Sequence, residues 1–377
     1  MATSGERYGE GYGAREGGAR PRVFFFARGH GRAHAIRAME VATDIEALGS
    51  NASFTFVSYG TGAETFRAHG KEALDLGISE ASSIWAILVA AGRHLGVERP
   101  DLVVSCEEFA VLPAAKMMRI PAIFMGEWFI SPRSPLMQAL VHADEIIFTE
   151  DPGIFEEPPY VKGKVFYSGP LLRKFKYLGR DRERARQDLR LPVDATVIAV
   201  LPGDWATEEN EPIGHVLIPA FDSLRAPGKI IVWVGGRDHE LVARRFGGRP
   251  DVIIKQNDQE MDRLTVASDF AVTKGNSTTV KELAALGIPS ISISHGRNPV
   301  DDTYLRRIAS NRFLEASLLS PAELLACMRD CLARAEAIRR ASPSLPLYSG
   351  AGLAAVARRV SEHIERLGIA LRTAEQE

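Results

Sequence analysis

The stretch from Asp269 to Asp302 carries residue types and spacings that suit the binding of an anion. An apolar run, Asp269–Thr273, leads into the polar turn Lys274–Thr279. Apolar residues then recur at helical spacing over Val280–Leu286 until a glycine ends the pattern, and a second apolar run covers Ser290–His295. This order predicts a strand, a loop, a helix and a strand. The free amides at the start of such a helix, with the positive end of its dipole, form a site for an anion such as a phosphate.

Side chains near the start of this helix could complete the site. Ser277, Thr278 and Thr279 offer hydroxyl donors, and Glu282 lies one turn further on, where it could accept hydrogen bonds from a ribose diol. An ordinary helix cap explains the same residues, with Ser277 or Thr278 as the N-cap and Glu282 closing a capping box. These residues alone leave both interpretations open.

A second group of reactive side chains lies near the N-terminus. The loop Arg28–Arg37 contains Gly29, Gly31, His34 and Arg37. A dinucleotide fingerprint would need a glycine where His34 stands, so the loop does not favour nicotinamide binding. It places a histidine and an arginine at the mouth of a helix, after a strand, where open α/β sheets bind ligands.

The elements that position these residues alternate between strand and helix. Arg22–Ala27 and Ser53–Ser58 flank a helix over Ala38–Leu48. Further strands are predicted at Asp101–Ser105, Ala122–Met125, Glu145–Phe148, Lys164–Tyr167, Val197–Leu201, Lys229–Val234 and Asp251–Ile254. A charged helix, Asp181–Leu189, marks the crossing between two halves, and the chain after Ser310 is predicted to be helical to its end. The pattern predicts an α/β protein with two mainly parallel sheets in tandem, facing across a cleft.

Four segments follow from this alternation. Residues 1–20 are rich in glycine and charge and are predicted to form a disordered tail. Residues 21–173 form a Rossmann-like domain, residues 174–350 form a second one, and residues 351–377 form a helix that could pack back on the first domain.

Composition limits the classes of function. The 377 residues include 46 Lys plus Arg and 48 Asp plus Glu, a balance that gives no reason to expect a nucleic-acid partner. Cys106, Cys327 and Cys331 lack the spacing of a metal site and indicate buried thiols in a reducing cytoplasm. No apolar run reaches the roughly 20 residues that span a bilayer. The segment Ile84–Ala91 could touch a membrane surface, but without a flanking basic cluster it better fits a buried helix face.

Taken in order, these stretches resemble glycosyltransferases of the GT-B fold, specifically the MurG-like (family 28) branch, which adds N-acetylglucosamine to lipid-linked muramyl peptide. The glycine loop ending in His34 and Arg37 is similar to the family's N-terminal loop, and Gly169–Arg173 to the segment that closes its first domain. Asn257–Met261 looks like the loop against the nucleotide base, and Gly275–Glu282 like the diphosphate loop with its ribose-binding glutamate.

The resemblance implies a set of donor-binding residues: Gly31, Arg173, Gly203, Asn257, Met261, Gly275, Asn276, Ser277, Thr278, Thr279, Glu282, Asp301 and Asp302. Two places depart from the family pattern. Asp301 and Asp302 stand where relatives carry an amide-containing pair for the sugar hydroxyls, so the donor sugar could differ from N-acetylglucosamine. The loop around Gly203 also reads Pro202–Trp205 in place of a glycine-rich segment.

The resemblance implies transfer of a sugar from a nucleotide diphosphate, UDP-linked, to an acceptor hydroxyl. His34 is the candidate base or its positioning partner, with His30 as the rival base. Arg37 could orient the acceptor or pair with Glu40 or Asp44. The helix amides, Ser277, Thr278 and Arg173 would stabilise the leaving diphosphate, a scheme that needs no metal and no cofactor. The resemblance also implies an inverting reaction, in which the first domain binds the acceptor and the second binds the nucleotide sugar.

Two other functions remain open. A nucleotide-sugar hydrolase or an epimerase could use the same frame, and so could a non-catalytic nucleotide-sugar binding protein. The acceptor and the oligomeric state are not predicted.

Overall fold

The computed structural model describes residues 20–127, 135–153, 156–202, 207–256, 261–275, 277–296, 302, 305–341 and 351–374. The predicted tail lies outside these residues except for Arg20. The chain divides into two compact units. The first is formed by the described parts of Met1–Arg173 and Gly350–Glu377, and the second by those of Lys174–Ser349.

The first unit contains a parallel sheet in the order β3-β2-β1-β4-β5-β6-β7. Its strands are β1 (Arg22–Ala27), β2 (Ser53–Ser58), β3 (Ala73–Asp75), β4 (Leu102–Cys106), β5 (Ala122–Gly126), β6 (Glu145–Phe148) and β7 (Val165–Tyr167). Before β6 its α-helices are α1 (Ala33–Ala47), α2 (Gly60–Ala68), α3 (Ile84–Glu98), α4 (Val111–Met117) and α5 (Pro135–Gln138). Short 3-10 helices occur at Ala139–His142, before β6, and at Pro159–Val161, after it.

The side chains of β1 alternate between two hydrophobic cores, because successive residues of a strand point to opposite faces of the sheet. Phe24 and Phe26 pack with α3 and α4 on one face. Val23 and Phe25 pack on the other face with α1 and with the C-terminal helix Ala351–Ala374. The strand is therefore buried on both sides, as parallel sheets usually are.

The second unit contains a parallel sheet in the order β10-β9-β8-β11-β12-β13. Its strands are β8 (Val197–Leu201), β9 (Ile230–Val234), β10 (Val252–Lys255), β11 (Phe270–Lys274), β12 (Ser290–Ser294) and β13 (Asn311–Glu315). The helices that follow α5 are α6 (Arg182–Asp188), α7 (Thr207–Ser223), α8 (His239–Phe246), α9 (Met261–Ala267), α10 (Ser277–Ala285) and α11 (Pro321–Ala341), and the C-terminal helix becomes α12. Short 3-10 helices occur at Gly179–Asp181, Gly236–Asp238 and Ala316–Leu318.

Two predictions about elements are wrong in detail. The segment after Ser310 is not helical throughout, because Asn311–Glu315 pairs with β12 as a parallel edge strand. The helix after β1 begins at Ala33 and not at Ala38, so His34 and Arg37 belong to its first turns and not to a loop. The buried helix face predicted over Ile84–Ala91 is present in α3, where Ile87 and Ala91 are buried, while Trp85 is 72% exposed and Val89 is 50% exposed.

No helix among the residues that the structure describes combines the length and the apolar character needed to cross a membrane.

Candidate active site

Each sheet has a point at which its strand order reverses. In the first sheet β1 lies beside both β2 and β4, and in the second β8 lies beside both β9 and β11. The connections leave these neighbouring strands toward opposite faces, which opens a crevice at their carboxyl ends. The first crevice receives the loop after β1, and the second receives the loop between β11 and α10. Both stretches predicted to carry chemistry therefore lie at positions where α/β sheets bind ligands.

Glycine is required at two positions of the loop after β1. Gly31 has φ of +71°, a left-handed conformation that side chains with a Cβ rarely adopt. Gly29 is required for space, since a Cβ there would overlap the ring of Tyr59, which follows β2. The loop is thereby held close to the ends of β2 and β4, where the amide of Arg28 donates to the carbonyl of Cys106 at 3.1 Å.

Arg37 is buried and is held by two carboxylates. Its Nη2 donates to Glu127 Oε1 at 3.1 Å, and its Nη1 lies 3.8 Å from Glu107 Oε1. The backbone amide of Glu127 also donates to Glu107 Oε1, at 3.2 Å. Glu107 follows β4 and Glu127 follows β5, so the sheet itself brings the two acids to the arginine. Truncation of either acid would leave a buried charge without part of its compensation.

His34 lies beside this cluster with one ring nitrogen unsatisfied. Its Nδ1 is buried, has no hydrogen bond among the described residues, and lies 3.8 Å from Glu107 Oε2. Burial, with the nearby charges of Arg37 and Arg28, lowers the pKa of His34 to about 3. The imidazole is therefore neutral at physiological pH.

The same surroundings shift the pKa of Glu107 upward, in the opposite direction to that of His34. Burial and the neighbouring charge of Glu127 raise the pKa of Glu107 to about 7, against the opposing effect of Arg37 and Arg28. A carboxyl group with this pKa exchanges a proton near neutral pH, as groups that act in acid–base chemistry do.

A cavity of about 150 Å³ opens in the first unit beside Glu107. It is lined by Arg28, His30, Tyr59, Ser82, Ile84, Ile87, Glu107, Glu108 and Phe109. The wall combines apolar and aromatic surface with a small number of polar groups, the usual character of a small-molecule site.

Glu108 and His30, which also line the cavity, differ in their surroundings. Glu108 is buried, and both of its oxygens accept hydrogen bonds, from the Tyr59 hydroxyl at 2.9 Å and from the Ala110 amide at 3.2 Å. Burial raises the pKa of Glu108 as well. The side chain of His30 is 45% exposed, and its Nδ1 lies 3.9 Å from Glu80 Oε2. His30 is thus the accessible histidine of the pair and His34 the enclosed one.

In the second unit, the strand, loop, helix and strand predicted over Asp269–His295 are present as β11, α10 and β12. The helix begins at Ser277, earlier than predicted, so Ser277, Thr278 and Thr279 form its first turn. Ser277 is buried, whereas Thr278, Thr279 and Glu282 are half-buried. The predicted anion-binding hydroxyls are therefore at the helix N-terminus, next to the end of β11.

Tight packing brings the ends of β11 and β12 together. A Cβ added to Gly275 would lie 3.2 Å from the Cβ of Ser294, which is closer than such contacts usually are. The Ser294 hydroxyl donates to Asp302 Oδ1 at 2.5 Å. Asp302 is thus placed at the carboxyl end of β12, beside the loop that holds Gly275.

The remaining predicted donor residues are placed as follows. Met261 is the first residue of α9 and is partly buried against the core of the second unit, not part of a loop. Arg173 is half-buried and is the last residue assigned to the first unit. Gly203, Asn257, Asn276 and Asp301 lie outside the described residues.

Sequence reasoning missed the three buried acids of the first unit, Glu107, Glu108 and Glu127. Each follows a short apolar strand directly or after one residue, at the carboxyl end of a parallel sheet. That position was a usable signal, because a charged residue next to a fully buried strand is rarely left without a role.

The chain is similar in sequence to named glycosyltransferases, although no protein-family model matches it. It is 26% identical over 214 residues to the UDP-N-acetylglucosamine–N-acetylmuramyl-(pentapeptide) pyrophosphoryl-undecaprenol N-acetylglucosamine transferase of Acetivibrio thermocellus, and the match covers 55% of this chain. The chain spans about half of that relative, 56% of its length. It is 23% identical over 376 residues to an uncharacterized glycosyltransferase of Methanosarcina acetivorans, with 87% of this chain and 94% of that protein covered.

Solved structures resemble the whole chain. MurG of Acinetobacter baumannii superposes with a TM-score of 0.61 at 16% identity, over 92% of this chain and 99% of that one. A UDP-GlcNAc 2-epimerase of Methanocaldococcus jannaschii, solved with UDP-GlcNAc and UDP, superposes with a TM-score of 0.64 at 12% identity, over 91% and 100%.

The protein has the GT-B fold, built from two Rossmann-like parallel sheets, and the predicted fold class is confirmed. Within that fold its sequence is similar to the MurG-like branch of the glycosyltransferases, which confirms the predicted resemblance.

Proposed function

We propose that the protein is a glycosyltransferase that moves a sugar from a nucleotide diphosphate, UDP-linked, to the hydroxyl of an acceptor. The observation that carries the proposal is the cavity beside Glu107, at the crevice between β1 and β4. Its wall contains groups able to bind a hydroxyl and to accept its proton. The similarity to named glycosyltransferases supports the same class of reaction.

The second unit is proposed to bind the donor. The diphosphate would lie at the N-terminus of α10, against its amides and the hydroxyls of Ser277 and Thr278. Glu282 would accept hydrogen bonds from the ribose diol, and Asp302 from sugar hydroxyls. Arg173 would add charge to the stabilisation of the leaving diphosphate. In this proposal hydrogen-bond donors and the dipole of α10 stabilise the leaving diphosphate without a metal. The reaction inverts the configuration at the anomeric carbon.

A thermal-shift series tests the donor half of this proposal. A ligand that binds only the folded state raises stability with its concentration, by about 2.7 kcal/mol at 100 times its Kd. UDP and UDP-sugars should raise the melting temperature in this way. UMP, which lacks the second phosphate, should raise it much less. Equal shifts for UMP and UDP would contradict a diphosphate site at α10.

An epimerase or hydrolase is the alternative that a specific observation favours, because UDP-GlcNAc 2-epimerase structures superpose on the whole chain. Incubation of the protein with UDP-GlcNAc and other UDP-sugars, without an acceptor, separates the functions. A transferase should release sugar slowly until an acceptor is added. Rapid release of free sugar, or conversion of one UDP-sugar into its epimer, would contradict the transferase proposal. Binding with no turnover under any condition would indicate a non-catalytic protein.

A further inference from the structure

Glu107 has an unusual backbone for its position. Four residues other than glycine have positive φ among the described part of the chain: Arg99, Glu107, Arg119 and Arg190. The three arginines follow the ends of helices α3, α4 and α6, where a left-handed residue is a common way to end a helix. Glu107, with φ of +58°, instead follows strand β4. A strained residue outside a helix cap is characteristic of functional sites, where the surrounding structure holds it in place.

The two carboxylate oxygens of Glu107 have different surroundings. Oε1 is fixed by the Glu127 amide at 3.2 Å and lies 3.8 Å from Arg37 Nη1. Oε2 accepts no hydrogen bond from the described residues, although the residue is 4% exposed and lines the cavity. A carboxylate oxygen at a cavity wall with no donor from the described residues is available to accept a hydrogen bond from a bound ligand.

The other carboxylates and histidines at or near the cavity are less suited to accept a proton from a bound hydroxyl. Both oxygens of Glu108 already accept hydrogen bonds. Glu127 is bonded to Arg37, and His34 does not line the cavity. His30 lines it, but at its open, exposed side.

We propose that Glu107 is the general base of the transfer reaction and that the neutral His34 is a positioning residue, an inference that rests on the proposed function. Oε2 of Glu107 accepts the proton of the acceptor hydroxyl while the hydroxyl oxygen forms a bond to the anomeric carbon. The bond from that carbon to the diphosphate breaks, and its electron pair leaves with the nucleoside diphosphate. The proton then passes from Glu107 to solvent.

The charges that face Glu107 are consistent with this role. Arg28 and Arg37 approach from the loop after β1 and from α1, Glu127 from the end of β5, and His34 from α1. Burial and Glu127 raise the pKa of Glu107 to about 7. Transfer should therefore become faster as the pH rises through about 7, because the basic form is the carboxylate.

The test compares Glu107→Gln with Glu108→Gln and His34→Gln, using UDP-N-acetylglucosamine and other UDP-sugars as donors. One acceptor is octyl glucoside, whose aliphatic hydroxyls need a base. The other is 4-nitrophenol, which ionises near neutral pH without help. Glu107→Gln keeps the shape of the side chain, so its affinity for UDP, which is proposed to bind the second unit, should match that of the wild type and reports that the variant is folded.

Glu107→Gln should lower transfer to octyl glucoside by about 10²- to 10⁴-fold, the usual contribution of a positioned base, and remove the rise of kcat/KM with pH. Its transfer to 4-nitrophenol should change little. Glu108→Gln should keep the pH dependence, and His34→Gln should keep it with a reduced rate.

Three results would overturn the assignment while leaving the transferase intact. These are a pH dependence that survives in Glu107→Gln, a pH dependence that disappears in His34→Gln, and equal losses with both acceptors in Glu107→Gln, which would mean a structural role. Absence of wild-type transfer from every UDP-sugar to both acceptors would instead overturn the proposed function and this inference with it.

Discussion

Glu282 is the residue at which two explanations of α10 can be separated. It is half-buried on the helix, one turn beyond Ser277. As a ribose ligand, its carboxylate would accept hydrogen bonds from the 2′- and 3′-hydroxyls of the donor. A capping box would need Glu282 at the third position of the helix, but α10 begins at Ser277 and Glu282 is its sixth residue, so the capping-box expectation is wrong. The remaining alternative is that Glu282 only stabilises the helix and has no effect on ligand selectivity.

We predict that the wild type binds UDP about 10-fold more tightly than 2′-deoxy-UDP, and that Glu282→Ala binds both equally. The reason is that a hydrogen bond to a charged group contributes about 1.5–3 kcal/mol. Calorimetric titration measures the two affinities. Glu240→Ala, which alters an exposed acid in the first turn of α8, is the matched control and should keep the preference. A preserved preference in Glu282→Ala, together with a lower melting temperature, would instead support a purely structural role of Glu282 in the helix.

The residues of the candidate site differ in whether local sequence is enough to identify them. His34 and Arg37 follow a predicted strand within a few positions, so local spacing was enough to select them. The carboxylates that surround them were not selected, because Arg37 and Glu127 are 90 residues apart and meet only through the strand order. The proposed acid–base chemistry depends on the strand order that brings these distant residues together, since burial and Glu127 raise the pKa of Glu107.

At the level of elements, α12 is tied to the first unit by a buried charge cluster. Arg359 Nε donates to Glu145 Oε1 at 2.6 Å, and His363 contacts Glu145 Oε2. Leu353, Val356 and other apolar residues of the same helix complete the core behind β1. The helix is therefore fixed both by apolar packing and by the carboxylate at the start of β6.

Glu145→Gln should destabilise the protein by roughly 3 kcal/mol at neutral pH, the typical result of removing one partner of a buried ion pair. Burial opposes ionisation of Glu145, but hydrogen bonds from His363 and Arg359 outweigh it, so its pKa is lowered. A lowered pKa stabilises the fold above the pKa of the unfolded chain, about 4.3, and the contribution is lost as the pH falls through the folded value.

The difference between Glu145→Gln and the wild type should thus be largest at neutral pH and shrink below about pH 4. Denaturant unfolding at several pH values measures it. Glu362→Gln, which alters the exposed partner of Arg359, should change stability little at any pH. A difference that grows on acidification would contradict the assigned role of Glu145.

Long buried elements were predictable and short edge elements were not. β1, β2, β6 and β8 have the bounds expected from the sequence. In β1 and β8 the reason is that a strand buried on both faces is apolar almost throughout. β3 covers three residues, and β13 is an edge strand with a mixed burial pattern, so neither has a distinct periodicity. The start of α1 was misplaced because Arg32 provides no side-chain cap to mark it.

At the scale of the whole molecule, the two units share one arrangement, a parallel sheet whose strand order reverses at one point. Each unit places a reactive or ligand-binding segment at the point where its strand order reverses. This much followed from the alternation of strands and helices in the sequence. The division of labour proposed for the two units came from the resemblance of their loops and not from this alternation. The cavity with ionisable walls in the first unit and the helix N-terminus beside tightly packed strands in the second are consistent with it.

The division of labour predicts where a nucleotide should protect the backbone. Saturation with UDP should slow amide hydrogen exchange in the first turn of α10 and at the end of β11, because bound phosphate oxygens accept from those amides. Exchange in the loop after β1 and around Glu107 should change far less. Mass spectrometry of peptides from both units measures the pattern in one experiment, with UMP as the control for the second phosphate. Protection centred on the loop after β1, with α10 unaffected, would show that the nucleotide binds the first unit and would exchange the roles proposed for the two units.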